Sequence, residues 1–109
     1  MDQKNADWIE VAIFHELVHA FQSCRKKDLN TCDGRICGEI QAYYRELAYY
    51  DPTFVILKEE GRKLWLKNLV GQSADAKCKE GYPNENERKR HIEQYVEDHL
   101  EECKSWTRH

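Results

Sequence analysis

The sequence predicts an all-α fold, and three observations carry that expectation. Glycine and proline are scarce, five and two in 109 residues, too few for a turn-rich β protein. Apolar residues recur at helical spacing along most of the chain. No segment reads as a confident strand: Thr53–Leu57 has strand-forming residues, but it directly follows Pro52 and runs on into a helical pattern. About four helices in one small domain, residues 1–109, are therefore expected. That domain is either complete or a piece of a larger enzyme.

The first helix is expected from Asp7 to about Cys24. Trp8, Ile9, Ala12, Ile13, Phe14, Leu17, Val18, Ala20 and Phe21 wrap most of its surface, and so wide an apolar arc predicts a central helix covered on several sides. Asn5 or Asp7 would cap it. Lys26 to Arg35 reads as a polar loop closed by Asp33-Gly34. A second helix runs from Ile36 to about Tyr50, where Asp51-Pro52 breaks it. Pro52 suits the first turn of a third helix reaching Val70, with Gly71 as its stop. Its stripe would be Phe54, Ile56, Leu57, Leu64, Trp65 and Leu69, with Gly61 weakening the middle. A loop from Gly71 to Asn84 leads to a fourth helix ending near Trp106. There Ile92, Val96, Leu100, Cys103 and Trp106 share one side, and the Glu/Lys/Arg-rich remainder is a solvated face.

Composition narrows the function. With 17 basic and 20 acidic residues the net charge is −3, which argues against a protein built to hold nucleic-acid phosphates. The one basic run, Arg88-Lys89-Arg90, is short and flanked by Glu85, Glu87 and Glu93. No apolar run approaches the roughly 20 residues of a membrane span. The N-terminus has neither the positive start nor the apolar core of a signal peptide. Five cysteines (Cys24, Cys32, Cys37, Cys78, Cys103) are many for this length. They contain no CxxC pair, so a zinc ribbon is not expected and disulfides are. An odd count leaves at least one thiol unpaired in the monomer, and sequence does not choose the pairing. Disulfides favour an oxidising compartment: secreted, periplasmic or the mitochondrial intermembrane space.

The chemistry lies in His15-Glu16-Leu17-Val18-His19, an HExxH motif. On a helix, positions i and i+4 share a face, so two imidazoles can grip one metal ion. Glu16 then stands beside the metal, placed to take a proton from a bound water and hand it to a leaving amine. Zinc is the expected ion. A shuffled chain of this composition matches the motif only about 0.03 times. Its apolar setting raises the weight, because two histidines and a glutamate buried without partners are costly. Such a site needs a third protein ligand. Glu39, twenty positions after His19, is the leading candidate; Cys24, Asp28 and His99 are rivals. Glu46, two turns further on, would accept a hydrogen bond from a ligand histidine and orient it. Tyr43 is the first choice to stabilise an oxyanion, ahead of His91, His99, Tyr44 and Arg25.

The stretch from His15 to Arg25, then Leu29, Cys32 and Cys37-Gly-Glu39-Ile-Gln-Ala42, resembles the family of mitochondrial intermembrane-space metalloproteases that mature an ATP synthase subunit. The spacing to Glu39 is also similar to that of thermolysin-like gluzincins. The resemblance implies a zinc peptidase with His15, His19 and Glu39 as ligands and Glu16 as general base. It covers about 28 residues strongly; Cys78 and Cys103 echo that family's later cysteines only weakly. Gln22 stands where the family has Asp, the loop before Glu39 is slightly shorter, and Gln41-Ala-Tyr-Tyr-Arg-Glu replaces small and polar residues. Zincins place a substrate-binding strand before the HExxH helix. Here the 14 residues ahead of His15 look helical. The expectation is thus a zinc metalloendopeptidase acting on a peptide or protein, with neither nucleic-acid partner nor membrane span and its oligomeric state open. The alternative is an inactive zincin-like or disulfide-stapled helical binding module.

Overall fold

A computed structural model describes residues 3–24 and 29–105, with the side chains of 3–8, 11, 21, 23 and 24 excepted. Among these the chain is all-α, with six helices and no strand. They are α1 (Gln3–Cys24), α2 (Cys32–Tyr50), α3 (Pro52–Ile56), α4 (Glu59–Ser73), α5 (Asp75–Cys78) and α6 (Glu85–Lys104). No described helix is long and apolar enough to cross a membrane.

The core is the bundle of α2, α4 and α6, closed by the short α3 and α5. Ile36 and Ile40 of α2 meet Leu66 and Val70 of α4 and Ile92, Val96 and Leu100 of α6, all buried, with Phe54 of α3 sealing one end. Two disulfides bind the same elements: Cys32–Cys78 joins α2 to α5, and Cys37–Cys103 joins α2 to α6. Both fit an oxidising compartment. The side chain of the fifth cysteine, Cys24, lies outside the described set, as does Trp106.

Local chemistry explains the boundaries. α2 starts four residues earlier than expected because the Thr31 hydroxyl accepts from the Gly34 amide at 3.0 Å, a side-chain cap inside what reads as loop. Asp51 ends α2 and caps α3, accepting from Thr53 and Phe54. The expected third helix is two helices. The chain turns extended at Leu57 and Lys58, and α4 restarts with Glu59 and Glu60 in its first turn, where the helix dipole favours acids. The Arg62 guanidinium closes the break by donating to the Phe54 and Val55 carbonyls. This break resets the helical phase, so Leu66 and Val70 reach the core while Ile56 and Leu64 of the expected stripe face solvent. Gly71 lies inside α4 and is not its stop. α6 begins at an Asn84 cap that accepts from the Glu87 amide.

The largest correction concerns α1. It packs on α2, and none of its described side chains joins the core cluster. Ile9, Ile13 and Leu17 are 49, 54 and 63% exposed. The wide apolar arc therefore did not make this helix central. Asn5 and Asp7, the expected caps, both lie within it.

Candidate metal centre

α1 and α2 run antiparallel, and the contact between them is mostly polar. Phe14 stacks on Tyr49 and meets Tyr50 edge-on at one end. At the next residue, His15 Nδ1 lies 3.0 Å from Glu46 Oε1 and its Nε2 lies 3.0 Å from Glu39 Oε1. A further turn on, His19 Nε2 lies 2.7 Å from the same Glu39 oxygen and 3.1 Å from His15 Nε2. At the far end Gln22, fully buried, accepts from His19 Nδ1 at 2.9 Å and donates to the Gly38 carbonyl and to Gln41.

This network settles which ring atoms face inward. Glu46 and the Gln22 oxygen are acceptors, so each histidine presents N–H at Nδ1 and directs Nε2 toward its neighbour. His15 Nε2, His19 Nε2 and Glu39 Oε1 are then three acceptors in mutual contact. Such an arrangement is stable only with a cation among them, a proton or a metal ion. In the metal-free chain a proton takes that role. Burial alone would depress the His15 pKa, but hydrogen bonds and charge from Glu39 and Glu46 outweigh it and raise the value to about 9. Burial pushes the Glu39 carboxyl up, but His15 and His19 outweigh it and hold it at about 2.

The three atoms stand slightly closer together than zinc ligands would. Tetrahedral ligands at about 2.0–2.1 Å from the ion stand about 3.3 Å from one another. The observed separations of 2.7, 3.0 and 3.1 Å are hydrogen-bond distances, and a spread of a few tenths of an ångström would admit the ion. Two neutral imidazoles and a carboxylate form a donor set that suits zinc. The group is nearly closed on the protein side, with Glu39 only 5% exposed, and opens on the other into a cleft of about 570 Å³.

The cleft gathers most of the expected residues. His15, Glu16, His19, Glu39 and Tyr43 all line it, with Glu16 exposed beside the ligands. Tyr43 lays its ring on His15, centroids 4.4 Å apart. Burial and the nearby Glu39 charge raise its pKa, with Ser73 of α4 opposing them. Arg35 also lines the cleft, and no carboxylate among the described residues pairs with it. It went unnoticed in the sequence, although it sits one turn before Glu39 and thus on the same helical face.

The rival residues lie elsewhere or outside the described set. His99, on α6, faces Glu102 and Tyr95, and His91 pairs with Asp33. Arg25, Asp28 and the Cys24 side chain are not described. Arg88 of the basic run is buried, held by Asp75 at 2.6 Å and by the Tyr82 and Pro83 carbonyls. It ties α6 to the preceding loop and is not part of a basic patch.

No protein-family model, curated protein or solved structure matches this chain.

Proposed function

We propose that the chain is a zinc-dependent peptidase, its metal held by His15, His19 and Glu39. The observation that carries this reading is the convergence of two Nε2 atoms and one carboxylate oxygen, each histidine oriented from behind by its own acceptor. Bound zinc would supply a polarised carbonyl and an acidified water in the cleft. Glu16, beside the ligands and open to the cleft, is placed to act as the general base that would accept a proton from the attacking water and return it to the leaving amine. Arg35 is the group we assign to the developing oxyanion: a fixed cation facing the cleft stabilises charge that appears only in the transition state. Tyr43, its ring laid on His15, braces that ring and lines the same cleft. Gln22 does for His19 what Glu46 does for His15, and so fills the place that an aspartate has in the family this segment resembles.

Exchanging Glu16 for Gln tests the mechanism. Peptide hydrolysis should fall about 10²–10⁴-fold, while zinc content stays near one per chain. Equal activity in the two proteins rules the mechanism out. A second reading, a zinc-binding helical module without hydrolysis, is favoured by the lack of any strand among the described residues to hold a substrate backbone. Full zinc occupancy with no cleavage of any peptide in a diverse library would select it.

A further inference from the structure

We propose a second metal site, controlled by thiol–disulfide exchange and built from Cys32, Cys78, His91 and Asp33. The Cys32 sulfur, an Asp33 carboxylate oxygen and a His91 ring nitrogen all lie within 4.8 Å of one another. Cys78 is bonded to Cys32; its sulfur lies one bond beyond these three atoms, outside the group that meets within 4.8 Å, and reduction frees it to turn toward them. The four residues come from α2, α5 and α6, and His91 is already oriented. Its Nε2 is 2.7 Å from Asp33 Oδ1, and its ring stacks on Tyr82 with centroids 4.2 Å apart.

In the oxidised chain a disulfide sulfur is a poor ligand, and the His91–Asp33 pair satisfies itself. Reduction changes the donor set. A phosphine or dithiol reductant delivers two electrons and the S–S bond breaks. Each sulfur takes up a proton; with a phosphine one water supplies both protons and the oxygen of the phosphine oxide, and with a dithiol the two thiol protons are transferred as its own disulfide forms. A divalent cation then displaces those protons, leaving two thiolates, one imidazole and one carboxylate around it. That set suits zinc. Two thiolates on one zinc at about 2.3 Å stand about 3.8 Å apart. The Cys32 and Cys78 Cα atoms are 4.6 Å apart, close enough for both sulfurs to reach that separation once the bond between them is broken.

The two disulfides differ in access. Both cysteines of Cys37–Cys103 are core residues, whereas Cys32 is only half-buried. Mild reduction therefore opens the site first and leaves the α2–α6 bridge in place.

The test is cobalt(II) titration of a His15→Ala/His19→Ala chain, which lacks the first centre, before and after mild phosphine treatment. Alkylation and mass mapping establish which bridge opened. The oxidised protein should give no sulfur-to-cobalt charge-transfer band. The reduced protein should give one, at one ion per chain. Further exchange of His91 for Ala should weaken binding at least about 100-fold, and Asp33→Asn about 10-fold. Wild-type chain serves as the second measurement, its cobalt capacity rising from one to two on reduction. Absence of the band after reduction overturns the proposal. So does a band indifferent to His91, which would mean that loose thiols bind the ion. Loss of helical circular dichroism on reduction, unrestored by zinc, overturns it as well.

Discussion

Two parts of this molecule are held by opposite means. The bundle of α2 to α6 is apolar and cross-linked, with Ile36, Leu66, Val70, Ile92 and Val96 packed between two disulfides. α1 rests on α2 through His15, His19 and Gln22, which meet Glu39, Glu46 and Gln41, while Ile9, Ile13 and Leu17 look outward. The bundle derives its stability from burial and chain constraint. The attachment of α1 depends on a buried polar cluster that needs a cation at its centre. In this arrangement the scaffold supplies Glu39 and Glu46, and an ion bound as proposed would stabilise the helix bearing HExxH against it.

The largest break in that contrast comes from the scaffold. Replacing both Cys37 and Cys103 by Ala removes a bridge spanning 66 positions, and loop-closure entropy puts the cost at about 4 kcal/mol. Urea unfolding should lose that much stability. Zinc bound per folded chain should not change, since neither cysteine touches the α1–α2 cluster. Loss of zinc from protein that is still folded would show that the two parts are not separable.

The next effect falls on the other part. Glu39→Gln leaves His15 and His19 without the carboxylate that balances their shared charge, at a cost of about 3 kcal/mol for a broken buried pair. Hydrogen exchange should speed up in α1 and remain slow in α4 and α6, and zinc binding should be lost. Uniform loss of protection would mean that α1 belongs to the bundle's cooperative unit.

How much of this could be read beforehand follows the same division. The clustering of His15, His19 and Glu39 was legible because it is local: the two histidines are one turn apart, and a carboxylate on the next helix is their natural partner. The position of α1 was not legible. Apolar residues on all sides of a helix say that its faces can be covered, without saying that this chain covers them. The break at Leu57-Lys58 was also hidden, because the cue was Arg62, which meets the freed carbonyls only after the chain has turned. The disulfide pairing was hidden for a related reason. Cys32 and Cys78 meet through α5, a helix of four residues within a stretch that reads as loop.

A finer probe concerns the support behind the ligands. Gln22→Ala keeps all three ligands but removes the acceptor for His19 Nδ1. The ring is then free to rotate or to change tautomer, and zinc affinity should fall about 10–100-fold. Gln22→Asp restores an acceptor at that position and should recover part of the loss. If competitive chelator titration finds the Ala variant binding as tightly as wild type, packing alone orients His19.

The smallest effect returns to the bundle and is read through pH. Glu97 of α6 receives Lys63 and Lys67 of α4, each at 2.8 Å, and these hydrogen bonds with the two positive charges lower its pKa to about 2. A carboxyl whose folded-state pKa is depressed contributes stability that is complete above its unfolded value and vanishes as pH falls through the folded one. The window therefore runs from about pH 5 down to about 2. Wild type should melt slightly above Glu97→Gln at neutral pH, and the gap should close across that window. Half-molar salt should narrow the gap at pH 7, because the pair lies at the surface and is screened. The α1 cluster also titrates at low pH, but it is common to both proteins and cancels in the difference. A gap that persists at pH 2 would assign the stabilisation to packing of the Glu97 side chain and not to its charge.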